Sequence, residues 1–133
     1  MLRRARSRFA AHVEAGRLRL TDGSLTAVPL DDNSVDAAIT VNTVYFVPEL
    51  DAACTELARV LRPGGRVVVG IGDPEAMARL PFTSYGFTLR PVSDVSAALQ
   101  KAGLDVVEQR RLDDVAIPHH LLVARRADGH GPR

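Results

Sequence analysis

Residues 57–73 read LARVLRPGGRVVVGIGD. The stretch starts as the end of an amphipathic helix, breaks at Pro63-Gly64-Gly65, and becomes a β-branched apolar run, as where a helix feeds a buried strand. Upstream, residues 49–61, ELDAACTELARVL, put Leu50, Ala53, Leu57, Val60 and Leu61 on one helical stripe. Before that helix, residues 35–42, VDAAITVN, are almost wholly apolar, as expected of a strand covered on both faces in a parallel sheet. Strand, helix and strand form a βαβ unit over 35–71, expected to be parallel and right-handed.

The end of the quoted stretch raises a chemical question. Gly70-Ile71-Gly72 lies between a strand and a helix, where a glycine-rich turn can face a phosphate with backbone N–H groups. Glu75 stands where G-x-G-x-x-G needs its third glycine, so the match is weak. Asp73 is placed to N-cap a short helix to about residue 80 with Pro74 at its first position.

Outward from this centre, Leu2, Ala5, Phe9 and Val13 recur at helical spacing among arginines, predicting a helix over 2–15. Residues 17–20, RLRL, alternate and read as a strand ending at the turn Asp22-Gly23. Residues 24–34 are a loop with room for one helical turn. Residues 81–92, PFTSYGFTLRPV, form an ordered loop holding half of the aromatic residues. Ser93 and Asp94 open a helix to about Ala102, Gly103 ends it, and LDVVEQRRL (104–112) and HHLLVARR (119–126) are two further strands. The whole reads as a single α/β domain over 1–126 with a disordered tail at 127–133.

Bulk properties limit the function classes. At 133 residues and 46% hydrophobic content, the chain can bury one sizeable core. Its 17 basic and 16 acidic side chains give no overall field of the kind that marks a nucleic-acid binder, so the arginines of the first helix read as a solvated face. Cys54 stands alone, which excludes an internal disulfide, and its mid-helix place reads as core. No apolar run approaches the roughly 20 residues of a membrane span, and no signal core follows Met1; a cytoplasmic location and no membrane partner are expected. His119 and His120 are adjacent in a strand, so they point to opposite faces and form no local metal site.

The motifs narrow the class. TDGSLTAVPLDDNSVDAAITVN (21–42) followed by LARVLRPGGRVVVG (57–70) resembles the class I S-adenosylmethionine-dependent methyltransferases, in the subgroup of small-molecule enzymes reading G-D-A-x-x-L-P-F and then L-R-P-G-G. VNTVYF (41–46) and MARLPFTSYGF (77–87) are similar to members of that group. The resemblance implies a Rossmann-like sheet with strand order 3-2-1-4-5-7-6. Residues 17–20, 35–41 and 66–71 would then be the third, fourth and fifth strands, and 104–112 and 120–126 the sixth and an antiparallel seventh. It also implies that the first two strands and their glycine-rich loop are missing ahead of Met1, a truncation at the N-terminus. The expected consequences are weak donor binding by this chain and an unpaired apolar edge at 35–41. A late start, a missing half supplied by another chain, and an edge covered by self-association or rearrangement all fit.

The resemblance implies S-adenosylmethionine as methyl donor and a small-molecule acceptor. Gly23, Ser24 and Leu25 would contact the adenine, although the family usually has an acid where Ser24 stands and the three residues also read as an ordinary turn. Asn42 and Thr43, at the carboxyl end of the fourth strand, would approach the methionine portion, where open α/β sheets place ligands. Tyr45, Asp73, Phe82 and Tyr85 would lie on the acceptor side. Pro63-Gly64-Gly65 falls at the far end of the sheet and is structural. Methyl transfer relies on positioning, and a base is needed only for an acceptor that keeps its proton, so no catalytic residue is named. The alternative function is a non-catalytic module that pairs through the edge of 35–41.

Overall fold

A computed structural model describes residue 4 and residues 7–16, 20–80 and 88–127. Its elements are α1 (Ala10–Glu14), β1 (Val35–Val41), a 3-10 turn (Val44–Phe46), α2 (Leu50–Val60), β2 (Leu61–Gly72), α3 (Pro74–Ala78), α4 (Val92–Lys101), β3 (Leu104–Leu112) and β4 (His119–Arg126). The four strands form one sheet in the order β1-β2-β4-β3. β1 and β2 are parallel, joined by α2, while β4 inserts antiparallel between β2 and β3. This matches the fourth-fifth-seventh-sixth order that the sequence implied. The expected strand at 17–20 falls largely outside the described residues, and Leu20 itself is in no strand. The start of the first helix and most of the tail at 127–133 lie outside them too.

One face of the sheet carries the core. Val67, Val69 and Ile71 of β2 alternate inward and join Leu122 and Ala124 of β4. Leu50, Cys54, Leu57 and Ala58 of α2, Met77 of α3, and Val95, Ala98 and Leu99 of α4 close over them. Leu61, Val67, Leu99, Leu104 and Leu122 have no exposed surface; burying side chains of this size stabilises the fold by about 1.5–3 kcal/mol each. Cys54 is a core residue as expected, and burial pushes its thiol pKa up to about 11.

The opposite face departs from expectation. β1 was expected to be covered on both faces, yet Ala37, Ile39 and Val41 are exposed, Ile39 at 73% and Val41 at 47%. The reason is that α2, α3 and α4 all lie over the face containing Val67, and the described part of α1 buries no residue. Among the described residues β1 pairs only with β2, leaving its other edge open.

The glycine break also differs. Pro63, Gly64 and Gly65 lie inside β2 rather than ahead of the strand. Val35 pairs with Leu61 and Ala37 with Arg66, so Asp36 alone faces Arg62 to Gly65 across a bulge. Leu61 is already extended, which ends α2 before the proline is reached. Gly64 has φ +82°, and a Cβ on Gly65 would meet the carbonyl oxygens of Arg62 at 2.8 Å and Asp36 at 2.9 Å. Pro63-Gly64-Gly65 thus shapes a close backbone crossing that a side chain at Gly65 would obstruct.

Two smaller expectations change. Ser93 and Asp94 do not cap α4, because the Pro91 carbonyl takes the Asp94 N–H at 3.0 Å and the helix starts at Val92 with no side-chain cap. The loop 24–34 contains no helical turn. Instead, Glu56 Oε1 accepts the Val28 N–H at 2.8 Å, and Arg59 donates to the carbonyls of Val28 and Leu30 and to Asp32. Arg59 holds the Glu56 carboxyl below its ordinary range, aided by the Val28 N–H.

Candidate functional site

The sheet brings one polar cluster together at the carboxyl ends of the parallel strands. β1 is followed by Asn42, whose left-handed backbone (φ +57°) turns the chain sharply while its N–H donates to the Gly70 carbonyl at 2.9 Å. Asn tolerates this region better than most residues. Thr43 follows, and its hydroxyl donates to the Val41 carbonyl at 3.1 Å. β2 ends at Gly72, and Asp73 then caps α3 by accepting the Ala76 N–H at 3.2 Å.

Gly70 and Gly72 are strand residues, with no turn to cradle a phosphate. A Cβ on Gly70 would sit 3.2 Å from Leu121 and 3.3 Å from Val41, so this glycine makes room for two side chains. The nucleotide-loop reading is overturned by that placement.

The antiparallel insertion of β4 completes the cluster. Ile71 pairs with His120 and Gly72 with His119, so the two histidines flank the end of β2 and point to opposite faces, as predicted. His120 Nε2–H donates to Asp73 Oδ1 at 2.7 Å, and Arg111 of β3 donates to the same oxygen at 3.2 Å. Both Asp73 and His120 are largely buried, with side chains 15% and 18% exposed. The bond from His120 holds the Asp73 carboxyl below its ordinary range against partial desolvation, helped by the Ala76 N–H and the charge of Arg111. Arg111 is itself held more firmly protonated, first by Asp113 at 2.6 Å.

On the other side of β2, His119 Nδ1 lies 2.7 Å from the Ile117 carbonyl oxygen, and its Nε2 lies 3.1 Å from Asn42 Oδ1. Both facing atoms are acceptors, so a ring carrying one proton donates to one of them, and the tautomer sets which.

A cleft of about 440 Å³ opens beside this cluster, lined by Asp73, His120, Pro74, Ala78, Leu89 and Arg90 among others. Arg90 fixes one wall by donating to the carbonyls of Val44, Val47 and Pro48 at 3.0, 2.7 and 3.0 Å. It thereby ties the turn after β1 to the start of α4. A wider cleft of about 650 Å³ between α2 and α4 also touches Arg90 but lies away from Asp73 and His120. Among the described residues no group of three or more His, Cys, Asp and Glu could hold a metal ion, and no helix is long and apolar enough to cross a membrane.

The expected site residues divide into three groups. Asn42 and Thr43 follow β1 and Asp73 follows β2, at the carboxyl ends of neighbouring strands. Gly23, Ser24 and Leu25 lie in a separate turn: Gly23 packs on Pro29, where a Cβ would be 2.5 Å from the ring, and the Ser24 hydroxyl bonds within the turn to Thr26. Leu25 is half-buried against the core. The backbone of Tyr45 is in the 3-10 turn, while its side chain, Phe82 and Tyr85 lie outside what the structure describes. Sequence reasoning missed His120, Arg111, His119 and Arg90. Only the His-His pair at the start of a last strand was a usable signal for them.

With this geometry in place, comparison with known proteins is informative. Residues 1–69, just over half of the chain, match the family model described as methyltransferase domain. An O-methyltransferase from Aspergillus nomiae is 26% identical over 119 residues, covering 84% of this chain and 53% of its own length. The fold of geranyl diphosphate C-methyltransferase from Streptomyces coelicolor A3(2), solved with geranyl diphosphate and S-adenosyl-L-homocysteine, superposes with a TM-score of 0.79 at 15% identity, over 95% of this chain and 60% of that one. The [4+2]-cyclase SpnF gives 0.78 at 16% identity, over 96% and 63%, so the sheet alone does not fix the chemistry. The chain spans about half the length of the curated relatives it matches, or less. The family match and the four-strand order agree, and the chain belongs to the methyltransferase-domain family, of the class I S-adenosylmethionine-dependent type.

Proposed function

We propose that this chain takes part in S-adenosylmethionine-dependent methyl transfer to a small molecule. The observation that carries the reading is the placement of Asn42 and Thr43 after β1 and of Asp73 and His120 at the end of β2, at the carboxyl ends of the parallel strands in a sheet of the methyltransferase family, with Asp73 and His120 lining a cleft. The residues fit the donor's chemistry: Asn42 offers a neutral amide suited to its amino-acid end, and the exposed Ser24 turn offers hydrogen-bonding groups suited to its heterocycle. Asn42 and Thr43 would hold the methionine portion, Gly23, Ser24 and Leu25 the adenine, and Tyr45, Asp73, Phe82 and Tyr85 would face the acceptor. When bound, the donor supplies an electrophilic methyl group whose sulfur leaves as a neutral thioether. The protein's share is to align the acceptor with that methyl and to exclude water.

Isothermal titration with S-adenosylhomocysteine tests the reading. Saturable binding, weakened about tenfold in Asn42→Ala as one hydrogen bond is lost, is expected. No saturable heat, or an Asn42→Ala variant that binds equally well, overturns it.

A second reading, a module that pairs through a sheet edge, is favoured by the exposure of Ile39 and Val41 on the open strand β1. Light scattering coupled to size exclusion decides it: a concentration-dependent dimer that Ile39→Lys abolishes supports it, and a monomer at all concentrations rejects it.

A further inference from the structure

The Asp73–His120 pair lies where a methyl acceptor would enter, and its chemistry goes beyond binding. A carboxylate can only accept, so Asp73 Oδ1 at 2.7 Å fixes the proton of a neutral His120 on Nε2. The lone pair is then on Nδ1, which makes no hydrogen bond among the described residues, on a ring that lines the 440 Å³ cleft. This is a base oriented by a largely buried carboxylate, with the proton of a neutral ring directed to Nε2. Pro74, Leu89, Pro91 and Val92 give the cleft an apolar wall for a flat ring, and Glu75, Arg90 and the Asp73–His120 pair give it a polar side for that ring's hydroxyl.

We propose that His120 is the general base of this site, with Asp73 as its positioning residue, and that the acceptor is a phenol-type hydroxyl. The inference rests on the methyltransferase reading above for the fate of the oxygen, and on the structure alone for the base. The proton passes from the hydroxyl to Nδ1, leaving a phenolate oxygen as the nucleophile and an imidazolium facing the Asp73 carboxylate. Charge is conserved in the step, and the ring later returns the proton to solvent. Histidine suits an acidic hydroxyl because proton transfer works best between groups of similar affinity near neutral pH. The charged groups around the ring are Asp73 and, through it, Arg111 with Asp113; Glu75 and Arg90 complete the cleft wall.

Two measurements on the whole chain test this. Long-range ¹H–¹⁵N spectra of the imidazoles at mildly alkaline pH should show His120 protonated at Nε2 and bare at Nδ1. In Asp73→Asn, whose amide nitrogen can face the ring, the proton should move to Nδ1. The second probe is 4-nitrophenol, coloured only as its anion. One pH unit below its own pKa about a tenth of the free probe is ionised. The bound probe should be about fivefold more ionised, and His120→Gln should remove that gain. A ring protonated at Nδ1 in the wild-type chain, a probe that does not bind at millimolar concentration, or an ionised fraction unchanged in His120→Gln overturns the proposal. Titration with S-adenosylhomocysteine in parallel separates the two failures. Donor binding without His120-dependent ionisation sinks the base, and ionisation without donor binding sinks the methyl-transfer reading.

Discussion

Replacing Asp73 by asparagine probes the centre of the site through stability as well as chemistry. The carboxylate accepts three hydrogen bonds in opposing directions: Oδ1 takes His120 Nε2–H and Arg111, and Oδ2 takes the Ala76 N–H that caps α3. An amide of the same shape has one acceptor oxygen, so it can accept either the cap N–H or the His120 N–H, not both. Losing the cap costs about 1 kcal/mol. Keeping it turns the amide nitrogen to His120, which the ring accommodates by moving its proton, while Arg111 loses a charged acceptor. A hydrogen bond to a charged group contributes about 1.5–3 kcal/mol, less here because the Arg111 side chain is 48% exposed. The two routes together place the loss at about 1–2 kcal/mol at neutral pH, a fall in Tm of about 4–8 °C for a domain of this size. The pH dependence carries the sharper test. The folded carboxyl is held below its ordinary value of about 3.9. Its contribution is therefore complete above that value and is lost as pH falls through the lower folded pKa. Urea denaturation from pH 3 to 8 should show a constant gap between wild type and Asp73→Asn down to about pH 4, closing below it. A gap that stays the same at the acid end, or no gap at pH 7, would falsify the role given to this carboxylate.

Two further outcomes are expected. Gly65→Ala places a Cβ against two backbone oxygens at 2.8 and 2.9 Å, neither of which can rotate away, and should cost about 3 kcal/mol, the upper end for overpacking; thermal denaturation showing Gly65→Ala as stable as Gly64→Ala would reject the close crossing at the bulge. Arg59→Ala removes the guanidinium that holds the carbonyls of Val28 and Leu30, so amide exchange at Val28 should speed up at least about tenfold while Val67 and Val69 stay protected; unchanged exchange at Val28 would show that the loop is fixed by other contacts.

Local periodicity carried most of the fold. The stripe Leu50, Ala53, Leu57 and Val60 is buried as its spacing required, because a helix on a sheet presents one face to the core. The alternation of Val67, Val69 and Ile71 located β2, and the two last strands stood out as consecutive, while their antiparallel order came only from the family resemblance. Patterning failed at β1. An apolar strand reads as covered on both faces, and whether a helix lies over each face is a fact about distant segments. It failed also at Pro63-Gly64-Gly65, which looks like a helix stop and is a bulge, since the bulge exists only through the closeness of Asp36.

The candidate site divides in the same way. Asn42, Thr43 and Asp73 were legible because each follows a strand, and the carboxyl ends of strands in an open sheet meet by construction. His120 was not, because it lies 47 residues beyond Asp73 and reaches it only through the register of β4 against β2. A shift of one residue would send His120 to the other face and His119 in its place. The sequence by itself determined where the chain turns from helix to strand and which residues stand at the strand ends, because those are set by local burial period, glycine and proline. The tertiary structure alone decided that a carboxylate, an imidazole and a guanidinium share one cleft, because pairing between distant strands is fixed by the packing of the whole sheet.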